Sequence, residues 1–81
     1  NRALFEVEVF YFQFLTLAKV KAGKQKFMSK FCKLCDENSE FRSSIETTTK
    51  TNERYEIRYR LFRDLVNGSF DTAIKEIPVK A

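Results

Sequence analysis

The chain contains no histidine and no tryptophan, and its 81 residues include only two glycines, one proline and two cysteines. Without histidine it lacks the most common general base and the most common nitrogen ligand of zinc, so the composition argues against an enzyme. Two cysteines are too few for a disulfide scaffold, which favours a reducing compartment over secretion. The scarcity of glycine and proline excludes collagen-like and linker-like sequences.

Aromatic and basic residues are what the chain does have. Nine phenylalanines and three tyrosines contribute to a hydrophobic content of 43 %, which is too high for a disordered chain. The length fits one domain over residues 1–81, and a domain this small buries only about 60 % of its unfolded surface. The net charge of +4 favours an anionic partner without distinguishing nucleic acid, a membrane surface or an acidic protein.

The first half of the chain has the pattern of a strand followed by a helix. Residues 4–20 are rich in Phe, Val, Leu and Tyr, which favour half-buried strands. Because this segment is long for one strand, we expect a bulge or tight turn near residues 11–14. The period then changes, since Phe27 and Phe31 recur at helical spacing. The sequence therefore predicts a helix over residues 24–38.

The second half returns to a period of two. Apolar and charged residues alternate over residues 53–63, so that one face of a strand would be apolar and the other charged. A shift by one residue would bury three arginines, which fixes the register. Together with the β-branched residues that follow residue 41, this run predicts an antiparallel hairpin that turns at residues 50–52.

Dipeptides that contain glycine mark the remaining boundaries. Ala22-Gly23 predicts a break before the first helix, and Asn67-Gly68 predicts a turn after the hairpin. A short helix over residues 70–77 follows. The order β–α–β–β–α predicts an α+β fold of two layers, a mostly antiparallel sheet with two helices packed on one face.

Cys32 and Cys35 have the spacing of zinc and redox motifs. A structural zinc site needs four ligands, and a redox pair places its first cysteine at a helix N-terminus, where the dipole lowers its pKa. Both cysteines lie inside the predicted helix, without a second cysteine pair. We therefore predict core packing, no metal and no cofactor, and we rank a small redox or zinc protein as the third function.

The basic residues form two sets. Lysines recur on one face of the predicted helix, and arginines line the charged face of the predicted hairpin, with a lysine at its tip. Cations spaced along a rigid element can reach one phosphate backbone together, although a solvated surface diluted by Glu37 and Glu56 has the same pattern. The predicted RNA-binding residues are Lys24, Lys26, Lys30, Lys33, Lys50, Arg54, Arg58 and Arg60.

Two parts of the sequence match the pattern of a known family. The run Glu53-Arg-Tyr-Glu-Ile-Arg-Tyr59 lies downstream, and Phe27-Met28 with Lys33 lies upstream. They resemble the closing strand and the basic, aromatic helix of the eukaryotic-type large-subunit ribosomal protein twenty-two family. The resemblance covers residues 15–59.

The resemblance implies an α+β fold and a structural role in the large ribosomal subunit. The chain would bind ribosomal RNA through shape and phosphate contacts, lie beside neighbouring large-subunit proteins in the cytoplasm, and have no membrane or small-molecule partner. Lys26 and Lys33 match basic positions of the family helix, whereas Ser29 and Cys32 replace its Lys and Thr. Residues 60–77 are loosely similar to the opening of the family but come last, either as a permutation or by chance.

A function from another class competes with this interpretation. The apolar edge of a strand within residues 5–17, or an exposed aromatic patch, could bind a partner protein, which would make the domain a non-catalytic protein-interaction module. That alternative predicts that Phe10, Phe12 and Phe14 are exposed in a row and that Asp36 and Glu37 neutralise the lysines of the helix.

Overall fold

The computed structural model describes residues 2–46 and 52–78, and within those ranges it contains four α-helices and no strand. The helices are α1 (Arg2–Phe12), α2 (Leu17–Glu37), α3 (Ser39–Glu46) and α4 (Asn52–Phe70). The predicted α+β fold with its antiparallel sheet is therefore wrong, and the described chain is all-α. None of these helices combines the length and the apolar character that crossing a membrane requires.

Helix α1 replaces the first predicted strand. Val7 and Tyr11, four residues apart, are buried, whereas Phe5 and Val9 are exposed. A strand would have placed all four side chains on one face, so burial follows the helical period. Glu6 and Glu8 alternate with apolar residues as in a strand, but packing overrides this pattern and the strand propensity of the residues. The turn expected near residues 11–14 exists, but it joins α1 to α2.

Helix α2 contains the helix predicted over residues 24–38 but begins earlier. Its N-cap is Thr16, whose hydroxyl accepts a hydrogen bond from the Lys19 backbone N–H at 3.2 Å. Gly23, predicted as a break, lies within the helix, where a Cβ atom would come within 2.5 Å of the Ser69 carbonyl oxygen. Glycine is needed at this position because α2 and α4 approach each other closely there.

Helix α3 occupies the first part of the predicted hairpin. The Asn38 side chain accepts a hydrogen bond from the Phe41 backbone N–H at 2.9 Å, which caps the helix. Phe41 and Ser44 are buried, and α3 packs on α4. The predicted turn includes Lys50, and residues 47–51 lie outside the described residues.

Helix α4 replaces the second predicted strand and continues through the turn predicted at Asn67-Gly68. The alternating sequence of residues 53–63 also carries a helical period, because Tyr59 and Phe62 are three residues apart and both are buried. The predicted hairpin is wrong because Tyr55 and Tyr59 fit both periods, whereas the fully buried Phe62 fits only the helical one. Only the helix also brings the apolar residues that follow into the same buried face.

The segment after α4 is irregular, and one asparagine holds it. Asp71 follows the helix with a left-handed φ of 57°. Asn67 Nδ2 donates to the Ile74 carbonyl oxygen at 3.0 Å, and Asn67 Oδ1 accepts from the Ile74 N–H at 2.9 Å and the Thr72 hydroxyl at 2.8 Å. The predicted helix over residues 70–77 is wrong, because the returning chain bonds to this side chain instead of forming helical bonds.

The core is aromatic and centres on α4, which packs against each of the other three helices. Phe62 is fully buried, and its ring centroid lies 5.9–6.4 Å from those of four other aromatic rings. The buried hydrophobic residues are Val7, Tyr11, Phe27, Phe41, Tyr59, Phe62, Leu65, Val66 and Phe70. Since α2 contributes only Phe27 to this set, much of its surface is exposed.

Candidate functional site

Four exposed lysines form a row along one edge of α2, which we call the lysine stripe. Its members are Lys19, Lys26, Lys30 and Lys33. At about 100° of rotation per residue they fall within an arc of about 60°, and at about 1.5 Å of rise per residue the row is roughly 21 Å long. One rigid helix therefore carries four cations in line.

The lysine stripe borders two grooves on the seam between α2 and α4. The Phe70 groove has a volume of about 520 Å³ and is lined by Lys19 and Lys26 on one side and by Ser69, Phe70 and Asp71 on the other. The Leu61 groove has a volume of about 430 Å³ and is lined by Lys30, Lys33 and Leu34 of α2 and by Leu61, Asp64 and Leu65 of α4. Each groove thus has two stripe lysines on one side.

Ion pairs do not neutralise the lysine stripe. The ion pairs that the structure contains, such as Arg2 with Glu6 at 3.3 Å, involve no stripe lysine anywhere in residues 2–46 and 52–78. Lys19 Nζ donates instead to the Asp71 carbonyl oxygen at 3.2 Å. Carboxylates of Asp64, Asp71 and Glu37 line the two grooves and reduce the local positive potential. The stripe nevertheless remains a line of exposed positive charge.

Three of the four predicted helix lysines belong to the stripe. Lys26, Lys30 and Lys33 lie together, whereas Lys24 is exposed roughly 120–180° around the helix from them. Lys19 was not among the predicted site residues, although it continues the same helical spacing. Recognising Thr16 as the N-cap would have extended the predicted helix far enough to include it.

The three predicted arginines do not form one surface. Arg58 is only 6 % exposed, and its Nη1 donates to the Ser44 carbonyl oxygen at 2.9 Å. Its guanidinium carbon lies 5.5 Å and 5.6 Å from the ring centroids of Tyr55 and Tyr59, a cation–π arrangement. Arg58 therefore joins α4 to α3 inside the fold, where it cannot contact a phosphate backbone.

The remaining predicted basic residues are dispersed. Arg60 is exposed, but it lies two residues from Arg58 and hence about 200° around α4 from it. Arg54 is half-buried and lines a small groove between α3 and α4. Lys50 lies outside the described residues. The second basic surface predicted from the hairpin is therefore not assembled in the described chain.

The two cysteines lie near the C-terminal end of α2, far from the helix N-terminus. Cys32 is exposed and Cys35 is half-buried, and both are free thiols. Burial, with smaller contributions from Cys32 and Asp36, raises the pKa of the Cys35 thiol, and Arg42 opposes the shift. The environment favours the thiol over the reactive thiolate. The described residues contain no group of three or more possible metal ligands.

A second surface is apolar and lies on α1. Phe5 is 65 % exposed and Val9 is 55 % exposed, and both line a groove of about 350 Å³ that also includes Phe10 and Tyr59. Phe10 and Phe12 are half-buried, so the row of three exposed phenylalanines expected for a strand edge is absent from the described chain. The predicted strand edge is wrong, because the helix satisfies its own backbone groups.

No protein-family model, curated protein or solved structure matches this chain.

Proposed function

We propose that this protein is a non-catalytic RNA-binding domain whose lysine stripe holds a phosphate backbone. The observation that carries the proposal is the row of four exposed lysines on one rigid helix, none of them paired with a carboxylate in the described residues. Because each phosphate that a lysine neutralises releases counterions, several cations in line can bind one backbone together. The net charge of +4 adds attraction at longer range.

The resemblance of residues 15–59 to a ribosomal protein family selects the RNA to test first. It names ribosomal RNA of the large subunit, with neighbouring ribosomal proteins as further partners and the cytoplasmic ribosome as the location. The α+β fold that it implied is wrong, and its matching segments lie in α2, α3 and α4 instead of strands. The ribosomal part of the proposal therefore rests on sequence alone, whereas the RNA-binding part rests on the lysine stripe.

A salt titration of RNA binding tests the proposal. Binding of a labelled fragment of large-subunit ribosomal RNA is followed by fluorescence anisotropy at increasing salt concentration. Four lysine–phosphate contacts predict a slope of log affinity against log salt of about −3, at roughly −0.7 for each contact with an unpaired strand. Affinity that does not fall as salt rises would contradict binding through phosphates.

A pair of triple variants separates the stripe from net charge. Replacing Lys26, Lys30 and Lys33 by Glu should lower RNA affinity at least about tenfold for all sequences and should reduce the salt slope by about 2. The matched control replaces Lys21, Lys24 and Lys75 by Glu. These lysines are exposed outside the stripe, so the control changes the net charge by the same amount. Circular dichroism verifies that both variants remain helical. An equal loss in the two variants would show that charge alone matters.

The alternative function is a non-catalytic protein-interaction module. The observation that favours it is the exposed apolar surface of Phe5 and Val9 on α1. Replacing both residues by Gln leaves RNA affinity unchanged if the lysine stripe is the functional surface. The interaction module becomes the better description if the unaltered protein binds no RNA at low salt.

A further inference from the structure

We infer that the Leu61 groove holds one unpaired RNA base that carries an exocyclic amino group, while Lys30 and Lys33 bind its flanking phosphates. This inference rests on the proposed RNA-binding function and names the part of the RNA that the site recognises. It follows from three properties of the groove, which are its apolar floor, its cationic edge and its acceptor groups.

The floor of the groove is apolar and large enough for a base. Leu34, Leu61 and Leu65 line it, and Leu65 is buried. Its volume of about 430 Å³ lies within the range of about 300–1,000 Å³ that is typical of small-molecule sites. The flat faces of a nucleobase are apolar and lose contact with water when they lie on such a floor.

The charged groups that border the groove match the two kinds of polar group in a nucleotide. Lys30 and Lys33 border the groove on α2, where they would meet anionic phosphates. Glu37, one turn beyond Lys33 on α2, and Asp64, across the groove on α4, add carboxylates, which can only accept hydrogen bonds when they are ionised. Arg63 holds the Asp64 carboxylate, since its Nε and Nη2 donate to Asp64 Oδ1 at 3.3 Å and 3.2 Å. A ligand that complements the groove carries phosphate together with hydrogen-bond donors.

The side-chain amide of Asn38 adds a hydrogen-bond donor to the same groove. The Asn38 Oδ1 atom accepts from the Phe41 N–H at 2.9 Å, which orients the amide so that its NH₂ group is the one left to donate. A base edge presents acceptors beside amino donors, so Asn38 and a carboxylate can contact one edge together. Cytosine, adenine and guanine have an exocyclic amino group, whose two N–H donors can bond to Glu37 and Asp64 together, whereas uracil offers only its single N3–H donor to these carboxylates. The groove should therefore discriminate against uracil.

An unpaired base fits this groove, whereas a paired base does not. Bases in an A-form duplex are stacked, and their edges lie in grooves that side chains reach poorly, so proteins read unpaired bases in loops, bulges and single strands. A duplex would contact the lysine stripe through phosphates and leave the leucine floor uncovered. The groove thus favours a loop or single strand over a continuous duplex.

Matched oligoribonucleotides test the inference with the unaltered protein. A cytidine oligomer, a uridine oligomer, an abasic oligomer and a hairpin duplex carry the same number of phosphates, so the ionic contribution is held constant. We expect the cytidine oligomer to bind about five- to tenfold more tightly than the uridine oligomer, within the discrimination known for acceptor–cytosine contacts. The abasic oligomer and the duplex should bind no better than the uridine oligomer.

Two carboxylate variants assign the preference to the groove. Asp64→Asn should strengthen binding to every oligomer, because one negative charge is removed, but should also reduce the ratio of cytidine to uridine affinity toward one. The control Asp36→Asn removes the same charge from an exposed residue outside the groove, so it should strengthen all binding while leaving that ratio unchanged.

Three results overturn the inference, and only one of them also affects the proposed function. Equal affinity for the cytidine, uridine and abasic oligomers would leave phosphate binding intact but would refute a base in the groove. Duplex binding as tight as that of the cytidine oligomer would refute the need for an unpaired base. Absence of binding to all four at low salt would contradict the RNA-binding function itself.

Discussion

Helix α4 contributes to two regions of different character. Toward α1 its residues are buried among aromatic rings, with Tyr59 and Phe62 at centroid distances of 5.9 Å and 6.2 Å from Tyr11. Toward the lysine stripe it presents Leu61 and Asp64 to an open groove. The first region has little contact with solvent, and the second combines exposed charge with an apolar floor.

The difference separates the source of stability from the source of binding. Burying aromatic side chains is the largest favourable contribution that a small domain can make, and the aromatic region supplies most of it here. The exposed cations of the lysine stripe contribute little to folding, because they have no carboxylate partners in the described chain. Substitutions in the two regions should therefore change different measurements.

The largest expected effect is the loss of folding stability in the variant Phe62→Ala. Removing a fully buried ring that contacts four others leaves a cavity and should lower the free energy of unfolding by about 3–5 kcal/mol. A domain of 81 residues has a total of roughly 4–12 kcal/mol to lose. Urea unfolding followed by circular dichroism measures the change.

Phe62→Leu is the matched control, because it keeps an apolar side chain at the same position and should cost less. Where either variant is folded, the salt dependence of RNA binding should equal that of the unaltered protein. A cost below about 1 kcal/mol for Phe62→Ala would place the main support of the fold elsewhere.

The next effect is the change in stability when either glycine is replaced by alanine. Gly23 lies in α2 and Gly68 lies in α4, and both face the contact between these helices. A Cβ at position 23 would lie 2.5 Å from the Ser69 carbonyl oxygen, so Gly23→Ala should destabilise the fold by about 1–3 kcal/mol despite the better helix propensity of alanine. At Gly68 the nearest atom is the flexible Lys30 Nζ, 3.4 Å away. Gly68→Ala should therefore stabilise the protein by up to about 1 kcal/mol.

Thermal unfolding of both glycine variants measures the two signs. Stabilisation by Gly23→Ala would show that α2 and α4 do not approach closely, which would also remove the geometry of both grooves. Because the Lys30 side chain is flexible and can move aside, RNA affinity should be nearly unchanged in Gly68→Ala.

These glycines also show how far the sequence could predict the fold. Gly23 and the dipeptide Asn67-Gly68 were interpreted as breaks, which is the usual meaning of glycine between elements. In the structure Gly23 instead provides space at a helix crossing, a property that depends on Ser69, far away in the sequence. Local patterns cannot reveal such a tertiary requirement.

The periods of the hydrophobic residues explain the other successes and errors. In α2 lysines separate the aromatic residues, so only a helical period fits and the helix was predicted. In residues 4–12 the only charged residues are Glu6 and Glu8, whose alternation with apolar residues favours a strand, and the other positions fit either period. In residues 53–63 the strand period and the helical period share Tyr55 and Tyr59. The strand propensity of these residues favours the strand, whereas the segment is helical.

The sequence could predict only those residues of the candidate site that lie in the helix it predicted correctly. Lys26, Lys30 and Lys33 share one face as soon as a helix is assumed, whereas Lys19 needed the correct start of α2. Arg58 was misplaced, because a strand exposes it and the helix buries it between two tyrosines. The grooves beside the stripe require α4 as a neighbour, which no local pattern indicated.

The last expected effect is the response of the aromatic region to alkaline pH. Burial raises the pKa of Tyr11 and of Tyr59 from 10.0 to about 12 in the folded protein, with Arg63 opposing the shift at Tyr11 and Arg58 opposing it at Tyr59. The folded state therefore holds these phenol protons more tightly than the unfolded state does. The stabilisation is complete below pH 10.0 and is lost as the pH rises from there through about 12.

Tyr11→Phe isolates one contributor to this pH dependence. The Tyr11 hydroxyl donates to the Glu76 carbonyl oxygen at 2.8 Å, so its loss should cost about 0.5–1.5 kcal/mol at neutral pH. The variant should then lose less stability than the unaltered protein as the pH rises, since the phenylalanine ring that replaces the phenol cannot ionise. Urea midpoints measured between about pH 9 and about pH 11 compare the two proteins. If the urea midpoints of both proteins fall in parallel as the pH rises, Tyr11 titrates as an exposed phenol. That result would contradict the burial of the aromatic region, but it would not contradict the binding role of the lysine stripe.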